Sequence, residues 1–151
     1  MPEVHHVVKA EADLPIVWNF VKDMGNWAAL MPGYQRFEQQ NESDSLWIVK
    51  VDLGPFTRVL ELQVHVTEWA EPTRVSFEVE CANEPFIGSG AFVAEVIGAA
   101  TTQLVFDFTT QGTGMAAFMV EALAKPVLNK GVKEFAGRMV ESIEARMQTP
   151  A

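Results

Sequence analysis

Apolar and polar positions alternate with period two through the middle of the chain and recur at steps of three and four near its two ends. Val4 to Ala10 is predicted as a first strand. Asp13 offers a helix cap and Pro15 suits a first helical turn, and Leu14, Val17, Trp18 and Val21 supply one apolar face. Gly25 is expected to end this helix, and Asn26 to Leu30 to form a short second one that Pro32 and Gly33 stop. Tyr34 to Gln40 predicts a short strand. Leu46 to Leu53 sets Trp47, Val49, Val51 and Leu53 against Lys50 and Asp52, and Gly54-Pro55 predicts a turn. Thr57 to Trp69 sets Leu60, Leu62, Val64 and Val66 against Glu61, Gln63, His65 and Thr67. After a break at Glu71-Pro72, Val75, Phe77, Val79 and Cys81 oppose Arg74, Ser76, Glu78 and Glu80. A glycine-containing stretch at Gly88 and Gly90 then leads to Phe92, Ala94 and Val96. A turn at Gly98-Ala99-Ala100 leads to Leu104, Phe106 and Phe108, opposed by Gln103 and Asp107.

The last segment, about Met115 to Met147, reads as one long helix. Leu123, Val127, Gly131, Phe135, Met139 and Ile143 mark its apolar stripe, and Pro126 should kink it. At about 1.5 Å per residue it could reach roughly 45 Å, enough to lie across a sheet. The order is therefore β, α, α, six strands and a long α, an α+β chain. Strands with one apolar face belong to an antiparallel sheet packed on one side. A curved sheet wrapped around the long helix buries both apolar faces, and a strongly bent sheet leaves an apolar space against the helix.

Composition narrows the function. The chain has 151 residues, 48% of them hydrophobic, which suits a single domain over 1–147 with a short tail at 148–151. There are 20 acidic residues against 11 basic ones, and a net charge of −9 disfavours nucleic acid as a partner. Lys125, Lys130, Lys133, Arg138 and Arg146 gather on the last helix, so a local contact with an anionic surface stays open. The start lacks a basic and an apolar region, no apolar run reaches bilayer length, and one cysteine suits a reducing compartment. The expected setting is cytoplasmic, with peripheral contact at the inner face of a membrane as an option.

The element order together with particular residues resembles the START-like helix-grip (SRPBCC) superfamily, which includes Bet v 1, START domains and polyketide cyclases. Ala12-Asp13-Leu14-Pro15-Ile16-Val17-Trp18 opening the first helix, Met31-Pro32-Gly33-Tyr34 after the second, Val49 to Pro55, and the long closing helix are most similar to the carbon monoxide dehydrogenase G-subunit family. The resemblance spans nearly the whole chain. It implies a curved antiparallel sheet of about seven strands gripping the closing helix, with an apolar ligand such as a lipid, quinone or polycyclic aromatic held between them. It also implies association with a molybdenum-containing dehydrogenase or with a membrane.

The lining expected from this resemblance is drawn from inward positions: Val49 and Val51, Leu62 and Val64, Phe77 and Val79, and Phe92 and Phe106 on the sheet. Phe118, Met119 and Leu123 would supply the helix side, with Met115 adding to an adaptable surface. The same aromatic stripe could equally fill a core. Met31 and Tyr34 would stand near the mouth, where the phenol could bond a ligand oxygen. Of His5 and His6 only one can point inward, because strand side chains alternate; His6 is taken as the candidate.

Other chemistry is sparse. His65 and Asp107 fall on outward faces, and no histidine spacing gathers metal ligands. Cys81 continues an apolar face and reads as a buried thiol. Gly112-Thr113-Gly114 lacks the rest of any phosphate-loop pattern. Phe56 is expected to be exposed on a hairpin tip, and 112–119 to form a mobile or membrane-touching tip. No cofactor is called for. The leading expectation is non-catalytic binding of an apolar molecule: burying roughly 300 Å² of it would contribute about 7 kcal/mol before association costs. A cyclase, aromatase or hydrolase in the same space, and a membrane-docking accessory protein, are the alternatives.

Overall fold

The period-two segments pair into one antiparallel sheet. The structure, a computed structural model, describes residues 3–53, 55–113 and 117–148, and the side chains of these except 53, 56, 117–127 and 148. The elements are β1 (Glu3–Ala10), α1 (Leu14–Val21), α2 (Met24–Leu30), β2 (Tyr34–Gln39), β3 (Asp44–Leu53), β4 (Phe56–Ala70), β5 (Arg74–Cys81), β6 (Phe86–Gly98), β7 (Thr101–Gly112) and α3 (Ala117–Gln148). The seven strands lie in the order β1-β7-β6-β5-β4-β3-β2, all neighbours antiparallel. The first strand therefore pairs with the last, and α3 packs across both. This is the helix-grip arrangement that the resemblance implied.

Several boundaries differ from the sequence expectation. The first helix ends at Val21, and Gly25 lies inside the second. The reason is Asp23, whose side chain accepts a hydrogen bond from the Gly25 amide at 2.9 Å and caps α2. Asp13 stands at the start of α1 without a side-chain cap; its carbonyl accepts from the Ile16 and Val17 amides. The strands β6 and β7 are longer than alternation suggested. Gly88 and Gly90 lie within β6 and pair with Thr110 and Phe108 of β7. Val96, expected inward, does stand in the inward row opposite Thr102, but it is 57% exposed because that row ends at an open cleft, which Val96 lines with Leu14 and Pro15. Gly33 is the one glycine with a left-handed backbone among the described residues, φ 82°. It lets the chain turn against β3, where the Lys50 amide donates to the Gly33 carbonyl at 2.8 Å.

The core lies between the concave face of the sheet, α1, α2 and the second half of α3. Phe135, Met139 and Ile143 of the predicted stripe are buried. Trp27 of α2 meets Phe77, Phe92 and Phe135 with ring centroids 5.7, 5.6 and 5.7 Å apart, and Phe92 meets Phe106 at 5.3 Å. The apolar space expected between sheet and helix is therefore filled by side chains at this end.

Candidate functional site

Cross-strand register places the inward residues in rows. One row runs His6, Phe106, Phe92, Val75; the next runs Val4, Phe108, Gly90, Phe77, Val66; the third runs Thr110, Gly88, Val79, Val64, Ser45. The first row belongs to the filled core. In the second, Phe77 and Phe108 flank a glycine, and their rings stack at 6.1 Å with planes 26° apart. The glycines make this possible. A Cβ on Gly90 would lie 2.7 Å from Phe77 Cζ and 2.9 Å from Phe108 Cδ2, and one on Gly88 would lie 2.8 Å from Phe108 Cζ. Two phenyl rings thus lie flat over β6 where side chains would otherwise stand. Both are only partly buried, and they form an aromatic floor beyond the filled core.

Thr110 stands at the edge of this floor, on the inward face of β7. It is 8% exposed, and among the described residues its hydroxyl has no hydrogen-bond partner. The apolar alternation of that strand stops at Phe108 in sequence; one more step along Leu104, Phe106, Phe108 reaches Thr110. Gly88 and Gly90, which resemble a break in sequence, support the floor.

The sequence-predicted residues fall into distinct environments. Val49, Val64, Phe92, Leu62, Val79 and Phe106 are buried in the core packing. Phe77, Met31 and Val51 are partly buried against it. Tyr34 is 39% exposed on β2, an edge strand, opposite Val49. The Phe118, Met119 and Leu123 side chains lie outside the described residues, as do the Phe56 side chain and all of Gly114 and Met115. Gly112 is the last residue of β7 and not part of a helix start, and the Thr113 amide donates to the Pro85 carbonyl at 2.7 Å.

The histidines separate cleanly. His6 is on the inward face, half-buried and opposite Phe106; among the described residues no carboxylate pairs with it. His5 points outward and pairs with Asp107, and His65 pairs with Asp44 at 2.7 Å, also on the outer face. The Asn41 side-chain hydrogen bond, then that of His65, holds the Asp44 carboxyl below its usual range. Burial pushes the Cys81 thiol up, and its S–H donates to Asn83 Oδ1 at 3.3 Å. Among the described residues no group of His, Cys, Asp and Glu is placed to hold a metal ion, and no helix is long and apolar enough to cross a membrane.

The expected cationic strip on α3 is partly committed to the fold. Arg138 donates to the Leu30 carbonyl at 3.3 Å, Arg146 lies 4.9 Å over the Phe20 ring, and Lys130 pairs with Glu134 at 3.9 Å. Two open clefts occur at the α1–α2 end of the molecule. One, of about 300 Å³, is lined by Asp13, Leu14, Pro15, Val96 and the β6–β7 turn; the other, of about 440 Å³, by Lys22, Asp23, Met24, Gln39, Asn41, Glu42 and Trp69. No described residue of α3 lines either one.

Solved structures show the same fold at low identity. A conserved protein from Geobacillus kaustophilus superposes with a TM-score of 0.80 at 15% identity, covering 93% of this chain and 94% of its own. The ZhuI aromatase/cyclase from Streptomyces sp. R1128 gives 0.67 at 19% identity, covering 96% and 94%. A START superfamily protein from Mycobacterium smegmatis gives 0.67 at 16% identity, covering 96% and 98%. No curated protein matches the sequence. A family model described as polyketide cyclase / dehydrase and lipid transport matches residues 1–144, and with its sheet gripping a long closing helix, the chain belongs to that family.

Proposed function

We propose that the protein binds and carries a hydrophobic small molecule on the concave face of its sheet. The observation that carries this is the half-buried Phe77–Phe108 pair laid over Gly88 and Gly90. Two partly buried rings held flat by a glycine gap, at the margin of a core filled by Trp27, Phe92, Phe106 and Phe135, offer a planar apolar surface. Desolvation of a flat ligand on such a floor supplies the affinity, and few polar groups are needed to orient it. The family's polyketide and lipid chemistry agrees in ligand class. Native mass spectrometry of the purified protein, with organic extraction of whatever it holds, tests the proposal. A stoichiometric apolar adduct supports carriage; a protein that holds nothing and takes up no aromatic probe contradicts it.

A cyclase- or aromatase-like reaction in the same space is the second reading, favoured by the inward placement of His6 and by the likeness to an aromatase/cyclase. An imidazole there is the one inward titratable side chain among the described residues of β1 and β7, so it would act as the general base or acid. His6→Gln abolishing turnover of a bound polyketide while leaving its binding intact would establish this. The likeness to a carbon monoxide dehydrogenase component, with a dehydrogenase or membrane partner, is a narrower form of carriage. Co-purification with a dehydrogenase, or flotation with anionic liposomes, tests it.

A further inference from the structure

Three polar residues are buried among the described ones, and all three stand on the concave face of the sheet: Ser45, Thr102 and Thr110. Two are tied into the fold. The Ser45 hydroxyl accepts from Trp47 Nε1 at 2.9 Å, and the Thr102 hydroxyl donates to the Ala12 carbonyl at 2.8 Å. The Thr110 hydroxyl has no such partner among the described residues. A buried hydroxyl without a hydrogen bond destabilises a fold, and valine would fill the same volume without that cost. The protein nevertheless keeps an oxygen there, one step along β7 from the Phe108 ring and in register with Gly88.

We propose that Thr110 is the polar anchor of the bound molecule, hydrogen-bonding a neutral oxygen at the edge of a planar ligand that lies on Phe77 and Phe108. This rests on the carriage proposed above and specifies its ligand class. The anchor is a neutral hydroxyl that can donate or accept. None of the buried residues described carries a charge, so a carboxylate or phosphate placed beside Thr110 would be desolvated with no counter-charge. A carbonyl or phenol would lose little water and gain one hydrogen bond. The chemistry recognised is thus a quinone or an oxygenated polycyclic aromatic, not the acidic end of a fatty acid or phospholipid.

Calorimetric titration with two probes of matched shape tests this, menadione for the quinone and methylnaphthalene for the bare hydrocarbon. Each is titrated into the wild-type protein, Thr110→Val and Thr110→Ser. The wild type should bind menadione about tenfold more tightly than methylnaphthalene, the factor expected of one buried neutral hydrogen bond. Thr110→Val should lose that preference and leave methylnaphthalene affinity unchanged, while Thr110→Ser should keep it. Thr110→Val should also melt no lower than the wild type. If both probes bind and Thr110→Val leaves the preference intact, the aromatic floor stands and the anchoring role falls. The role also falls if Thr110→Val melts lower, because the hydroxyl then serves the fold. If neither probe binds the wild type, carriage itself falls. Dodecanoate binding as tightly as menadione and losing affinity in Thr110→Val would overturn the neutral-ligand assignment.

Discussion

The aromatic floor depends on Gly90, and Gly90→Ala measures how firmly. The backbone there is open to any residue, since its φ lies outside the left-handed region, so alanine by itself should stabilise the strand by about 0.5–1 kcal/mol through reduced chain entropy. The added methyl opposes this. It would lie 2.7 Å from Phe77 Cζ, 2.8 Å from the Asp107 carbonyl oxygen and 2.9 Å from Phe108 Cδ2. The rings can swing aside, but the carbonyl belongs to the β6–β7 ladder and is fixed. Overpacking costs about 1–3 kcal/mol, and contact with a fixed carbonyl takes the upper part of that range, about 2–3 kcal/mol, which leaves a net destabilisation of about 1–2.5 kcal/mol. For a chain of this size that lowers Tm by about 3–8 °C. Urea unfolding followed by tryptophan emission reads it directly, with an unchanged m-value as the sign that only the folded state moved. Phe77→Leu should couple to Gly90→Ala by at least about 0.5 kcal/mol in a double-mutant cycle, because the ring is what the methyl strikes. A neutral or stabilising Gly90→Ala, or strict additivity with Phe77→Leu, would refute the claim that the rings are held against the sheet.

Thr102→Val should cost about 1–2 kcal/mol by stranding the Ala12 carbonyl, whereas Thr110→Val should be neutral or stabilising; urea titration of the pair separates a structural from a ligand-facing hydroxyl. Because burial raises its pKa, the Cys81 thiol should react with iodoacetamide at pH 8 far more slowly in the folded protein than in urea, and equal rates would contradict its burial. The lowered Asp44 pKa makes its contribution to stability present above the ordinary carboxylate range and lost as pH falls through the lowered value, so Asp44→Asn should flatten the acid limb of Tm against pH. Gly33→Ala should be strongly destabilising in the same assay, because its Cβ would lie 1.8 Å from the Lys50 carbonyl oxygen on a backbone with φ 82°.

Much of this fold is legible in the sequence because one-sided burial writes itself as alternation. The inward sets Trp47, Val49, Val51 and Leu60, Leu62, Val64, Val66 face the core or its margin as their period requires. What escapes depends on distant partners. Gly88 and Gly90 look like a break until Phe77 and Phe108, from two other strands, are seen to need the space above them. Val96 keeps the inward register opposite Thr102 yet stays exposed at an open cleft beside Leu14 and Pro15, which no local pattern encodes. Alternation shows that just one of His5 and His6 can face inward, but choosing His6 requires its pairing with Phe106 on a strand about 100 residues away. Aromatic residues expected to line a ligand space divide into two groups for a similar reason. Trp27, from α2, inserts among Phe77, Phe92 and Phe135 and fills one end of the groove, leaving Phe77 and Phe108 as its boundary.

The central claim is that an apolar molecule rests on that boundary. Side-chain NMR of the labelled protein titrated with menadione tests it most directly. Carriage predicts saturable shifts concentrated on the Phe77 and Phe108 rings and the Thr110 methyl, with the outer-face pair His5 and Asp107 unmoved. Shifts confined to the open clefts around Leu14 or Trp69, or no saturable shift on Phe77 and Phe108, would contradict it.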